Sequence, residues 1–164
     1  VPQKEINDVS GWRRPVFLPI VLVGMCSVFG CNSRTREWPY TVQLGDASLK
    51  VEVAATPEQR ERGLMFRDDL DENWGMLFAY DDEWTLSFWM KNTKIPLSIA
   101  FIDRGLVVRD IQDMTPMTEE MHTSKVPVMY AIEVNRGWFV RHDIAPGTVV
   151  TFSPELEKYI KQAP

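Results

Sequence analysis

The chain has 164 residues, 45% of them apolar and 25% charged, a balance that excludes a collagenous, low-complexity or wholly disordered protein and fits one globular domain of modest size. Lys and Arg number 18 against 23 Asp and Glu, for a net charge of -5, so the basic footprint of a nucleic-acid binder is missing. The 2 cysteines and 2 histidines make neither a zinc site of C-x-x-C or H-x-x-x-H spacing nor a disulfide framework, and no metal or cofactor is expected.

Residues 1–30 read as a signal peptide. A polar stretch ends in Arg13-Arg14 and gives way to an uncharged apolar run from Val16 to Gly30. That run is short of the ~20 residues a membrane-spanning helix needs, and Pro19 and Gly24 interrupt it. Val28-Phe29-Gly30-Cys31 is similar to the bacterial lipobox, with Phe29 where a small residue is usual. Cleavage before Cys31 would remove Cys26 and leave a single thiol, which suits acylation rather than a bridge. Several acyl chains, at about 0.8 kcal/mol per buried methylene, anchor a protein stably. Residues 31–39 then form a lipidated tether closed by Pro39. The sequence places the protein in the bacterial cell envelope, with the membrane as its partner through acylated Cys31.

The folded domain is expected over residues 40–153, followed at 154–164 by a short helix or tail. Thr41–Leu44 and Ser48–Ala54 flank a Gly45-Asp46 turn, and Leu49, Val51 and Val53 alternate with Lys50 and Glu52, which predicts a hairpin. Thr56-Pro57-Glu58-Gln59 reads as a helix start with Thr56 as cap and Gln59 closing a capping box, and Gly63 ends that helix. Short strands follow at Gly75–Ala79, Leu86–Met90, Leu97–Ile102, Leu106–Ile111, Met129–Val134 and Thr148–Phe152. Asp103-Arg104-Gly105 makes a tight reversal, Pro116 to Pro127 a longer loop and Pro146-Gly147 another turn. Trp138–His142 suits a helical turn and Glu155–Gln162 a terminal helix. About eight short strands with one or two short helices predict a β-rich α+β domain, an antiparallel-rich barrel or sandwich.

Three motif blocks occur in order: Arg62-Gly63-Leu64-Met65-Phe66-Arg67, then Gly75-Met76-Leu77-Phe78, then Phe88-Trp89-Met90-Lys91-Asn92-Thr93-Lys94-Ile95-Pro96-Leu97. Phe101-Ile102-Asp103, Tyr130-Ala131-Ile132-Glu133-Val134-Asn135 and Gly137 continue the series. Together they resemble the DUF192 family over roughly Val42 to Val150. The resemblance implies a small β-rich domain, often exported or membrane-attached, without a settled activity. Ser98 departs from the family pattern, which usually has Asp after Ile-Pro-Leu.

The densest chemistry lies at Phe88 to Thr93. On a strand, Trp89 and Lys91 share one face and Phe88, Met90 and Asn92 the other, a mixture expected at a pocket rim. Glu133 shares its predicted face with Met129 and Ala131, so a carboxyl group is brought against apolar neighbours, where ionisation needs a cation. Lys91, Arg62 and Arg67 are the candidates, either as structural partners of Glu133 or as part of an anion- or carbonyl-binding site. The aromatic residues Trp74, Phe78, Tyr80, Trp84, Phe88 and Trp89 are read chiefly as core. The segment Asp113 to His122 carries Met114, Met117 and Met121 beside an imidazole, but the thioethers of Met114 and Met117 are expected to fill gaps under the loop. Asp68-Asp69, Asp71-Glu72 and Asp81-Asp82-Glu83 read as solvated turns.

No G-x-S-x-G elbow is present. The leading expectation is a non-enzymatic module that binds a small ligand or an envelope protein through Arg62, Arg67, Trp89, Lys91, Asn92 and Glu133. The alternatives are an envelope hydrolase or transferase using Glu133 or Asp103 as base, and a purely structural module.

Overall fold

The computed structural model describes residues 40–163. The signal, the lipobox with Cys31 and the tether lie outside the described residues.

Nine strands and three helices follow in chain order: β1 (Tyr40–Leu44), β2 (Ala47–Ala54), α1 (Pro57–Arg62), β3 (Trp74–Trp84), β4 (Ser87–Phe88), β5 (Leu97–Ile102), β6 (Val108–Met114), β7 (His122–Thr123), β8 (Val128–Asn135), α2 (Trp138–Arg141), β9 (Val150–Phe152) and α3 (Pro154–Gln162). Seven of the strands form one sheet in the order β6-β5-β8-β3-β2-β1-β9, and β4 pairs with β7 in a second. All neighbours run antiparallel except β2 and β3, which are parallel because α1 and the loop after it carry the chain back across. Val107 pairs with Val149, joining the sequence just before the two edge strands β6 and β9. The large sheet is thereby curled into a half-barrel.

The hairpin forms where the alternation places it, with a turn at residues 45–46 and Gly45 at φ 55. The α1 capping box is complete: the Thr56 side chain accepts from the Gln59 N–H at 3.3 Å, and the Gln59 side chain accepts from the Thr56 N–H at 3.0 Å. Two stretches differ from expectation. Asp81-Asp82-Glu83 continue β3 instead of forming a turn, the acids being carried on an extension past the register shift after Ala79. The loop from Pro116 to Pro127 contains β7, whose two residues take a strand partner in β4.

The central strands β3, β5 and β8 bury both faces. Leu77, Ala100, Ile102, Ile132 and Val134 join a first core with Trp138 and Phe139 of α2 and Leu156 of α3. Met76, Phe78, Ile99, Phe101 and Ala131 join a second core, covered by Leu64, Leu86, Phe88, Met90 and Ile95. That covering layer comes from the segments around α1 and the small sheet. Residues of the same parity as Phe78 on β3 and Ala131 on β8 therefore face the layer in which the motif blocks meet.

Candidate functional site

Glu133 occupies the second-core side of β8. Its neighbours across the sheet are Met76 of β3 and Ile99 of β5, and only 5% of the residue is exposed. Of the two residues expected on its face, Ala131 packs in the same core and Met129 against the other; the register shift between Ala79 and Trp84 falls opposite this end of β8. Burial raises the Glu133 carboxyl, the Arg67 charge pulls it back in part, and the group is pushed up to about 8. At neutral pH it is therefore chiefly the protonated acid, a donor as well as an acceptor. No hydrogen bond from the described residues contributes to its state.

Above this acid lies an open pocket of about 360 Å³. Glu133, Arg62, Trp89, Phe78, Phe88 and Tyr80 line it. Phe78 and Phe88 meet edge to face, 4.9 Å between centroids. Arg60 is fixed across one side, donating to the Ala79 carbonyl at 3.0 Å and to the Ala55 carbonyl, with its guanidinium 4.5 Å from the Tyr80 ring centre. Arg62 lies in the last turn of α1, exposed, with no ion pair among the described residues. A neighbouring depression of about 600 Å³ shares Arg62 and Trp89 and adds Lys91, Asn92 and Phe66.

Unusual backbone holds this mouth. Gly63 turns the chain out of α1 at φ 44, where a Cβ would meet the Phe78 ring at 3.3 Å. Phe66, Asn92 and Met117 adopt left-handed conformations at φ 62, 57 and 58, each costly for a residue with a side chain. Hydrogen bonds tie them together: the Phe66 N–H donates to the Asn92 carbonyl at 2.9 Å, the Met117 N–H to the Thr93 carbonyl at 3.0 Å and the Met90 N–H to the Thr118 carbonyl at 3.0 Å. The rim carries exposed apolar side chains, with Phe66 at 65%, Met121 at 55% and Trp89 at 41% exposure. Met117, expected to tuck under its loop, is 60% exposed, whereas Met114 is buried; the left-handed turn at Met117 carries its side chain outward.

Arg62, Trp89 and Glu133 thus meet in one pocket, and Lys91 and Asn92 border it. Arg67 stands behind the acid, bonded to Glu52 at 2.6 Å, close enough for its charge to act on Glu133. Lys91 is not the partner of Glu133. It pairs with Glu119 at 3.1 Å on the surface and lies 5.1 Å over the Trp89 ring. The alternation at 88–91 explains this, because Phe88 and Met90 are buried and Trp89 and Lys91 turn outward.

Asp103 is engaged in its turn, accepting from the Val107 N–H at 2.9 Å and pairing with Arg109. At the departure from the family pattern, Ser98 donates to Asp113 at 2.5 Å and accepts from the Gly137 N–H at 3.0 Å. Ser98 and Asp113 are directly opposed on β5 and β6, so a carboxylate is present beside this position from the neighbouring strand. Arg60 and Met65 also line the pocket and carry no local sequence signal, since Arg60 is oriented by a carbonyl 19 residues away.

The DUF192 family model, described as an uncharacterized ACR, matches residues 40–152. A crystal structure of a proposed transcription regulator from Sinorhizobium meliloti 1021 is 35% identical, with a TM-score of 0.67 over 69% of this chain and 92% of that one. A protein of unknown function from Novosphingobium aromaticivorans is 31% identical, with a TM-score of 0.65 over 68% of this chain and 83% of that one. A search of curated proteins found no match.

Proposed function

We propose, for a chain that belongs to the DUF192 family, that it is a non-enzymatic binding module of the bacterial envelope, anchored through acylated Cys31 and taking a small ligand into the pocket over Glu133. The observation that carries this reading is a carboxyl group only 5% exposed and chiefly protonated at neutral pH, set in the lining of a cavity walled by aromatic rings. An apolar cavity with a few placed polar groups is the usual form of a ligand site. Binding is favoured over hydrolysis because the two aliphatic hydroxyls of the lining are engaged away from the acid. Ser87 bonds Thr123 at 2.8 Å and Thr93 donates to the Lys91 carbonyl at 3.3 Å. Transcription regulation, the role named for the Sinorhizobium protein, finds no electrostatic support in a chain of net charge -5.

Native mass spectrometry of the full chain, extracted from membranes in mild detergent, tests the reading. A retained small molecule is expected in wild type and its loss in Ser87→Trp, which sets an indole at the pocket mouth from an exposed position. Absence of any retained species, together with a thermal-shift library that stabilises wild type no more than Ser87→Trp, would count against it.

A further inference from the structure

The lining of this pocket has a sign. Arg60 and Arg62 face it against Glu61 and Glu133, and Glu133 is chiefly protonated at neutral pH. The wall therefore carries an excess of positive charge, and Arg67, itself paired with Glu52, acts on Glu133 from behind. A cationic ligand would meet these guanidiniums. An anion would meet them and, at the base, a carboxylic acid with a proton to donate. The O–H···O⁻ bond between an acid and an anionic oxygen is short and strong, and stronger in a site from which water is excluded. Apart from the Ser87 and Thr93 hydroxyls, the rest of the wall is chiefly apolar, with Phe78, Phe88, Tyr80, Trp89 and Met121 presenting rings and a thioether.

From this arrangement, and resting on the binding reading above, we propose that the ligand is a small organic acid: an apolar, aromatic-sized body between the rings and a carboxylate that accepts a hydrogen bond from the Glu133 acid within the field of the arginines. Binding takes up no proton while Glu133 is already an acid. Above about pH 8, where the free group ionises, each complex must capture one proton, and affinity falls by about tenfold per pH unit. The Tyr80 phenol on the wall does not imitate this, because burial raises it further above its ordinary value of 10.0.

Three probes with one ring system separate the possibilities: indole-3-acetate, its neutral amide and the cation tryptamine, each titrated calorimetrically into the full chain in detergent at pH 6.5 to 9.5. Indole-3-acetate is expected to bind at least about tenfold more tightly than either of the others. Its affinity should be level to about pH 8 and weaken above it. Glu133→Gln, which keeps an N–H donor, should hold affinity within about threefold at pH 7 and abolish the pH dependence, while Glu133→Leu and Arg62→Gln should each lose about tenfold or more. Preference for tryptamine, equal binding of acid and amide, or an unchanged pH profile in Glu133→Gln would overturn the organic-acid assignment. If no probe binds but native mass spectrometry shows a retained molecule, the assignment falls and the binding module stands. If neither is seen, both fall.

Discussion

Glu133 shows how one side chain couples fold to chemistry. Its ordinary carboxyl value is 4.5, and the folded protein holds the proton to about 8. Between those values the native state binds more protons than the unfolded one, so stability falls as pH rises through the window and levels off above it. The full difference is on the order of 5 kcal/mol. Glu133→Gln is expected to remove the slope and to be more stable than wild type at pH 9, as urea denaturation at pH 5, 7 and 9 would show; parallel stability profiles for the two proteins would refute the buried acid. Lys91→Met, measured in the same way, should change stability by no more than about 0.5 kcal/mol, because its partner Glu119 is exposed. A loss of about 3 to 5 kcal/mol, the cost of stranding a buried charge, would mean that Lys91 neutralises an interior carboxylate after all.

Among the elements, the β3–β8 pairing supports the site most directly, and a single glycine sets how closely it closes. A Cβ on Gly75 would lie 2.5 Å from the Glu133 carbonyl oxygen and 3.0 Å from Val134. The nearer obstacle is backbone, which cannot swing aside as a side-chain end does. Gly75→Ala is therefore expected to cost about 3 kcal/mol and to displace Glu133, weakening retention of any pocket ligand even where the protein stays folded. Thermal unfolding with native mass spectrometry would check both effects; an alanine variant of wild-type stability would show that β3 and β8 separate easily. The α1 end of the pocket depends less on long-range packing. Its capping box and the Gly63 exit are written locally in Thr56 to Gly63 and fix the helix that carries Arg62, whereas Arg60 also needs the Ala79 carbonyl.

At the scale of the whole domain, both faces of the central strands are buried, so the described residues support two cores and leave the pocket over Glu133 open between the second core and its covering layer. The apolar rim at Phe66, Trp89, Met117 and Met121 is open to solvent, a surface usual at sites of interaction. Anchoring such a domain at a membrane is the role proposed for Cys31. Cys31→Ser should release the protein from membranes or leave the precursor uncleaved, read by fractionation and by intact mass. Identical membrane fractions and identical masses for wild type and variant would refute the lipoprotein reading.

Local sequence carried most of the elements because their determinants are local. The period-two alternation of Leu49, Val51 and Val53, the Gly45 turn, the Thr56 capping box and the alternation of Phe88 to Lys91 are each complete within a few residues. The motif order also brought Arg62, Trp89 and Glu133 under suspicion together, and the fold joins them in one pocket. The partner of Lys91, the strand identity of His122–Thr123, the parallel pairing of β2 with β3 and the place of Arg60 were not legible. Each depends on a residue far along the chain: Glu119 for the lysine, β4 for β7, the crossover through α1 for the sheet, and the Ala79 carbonyl for Arg60. Side-chain periodicity states which face a residue takes but not what lies opposite it, and what lies opposite Glu133 is what makes it an acid at neutral pH.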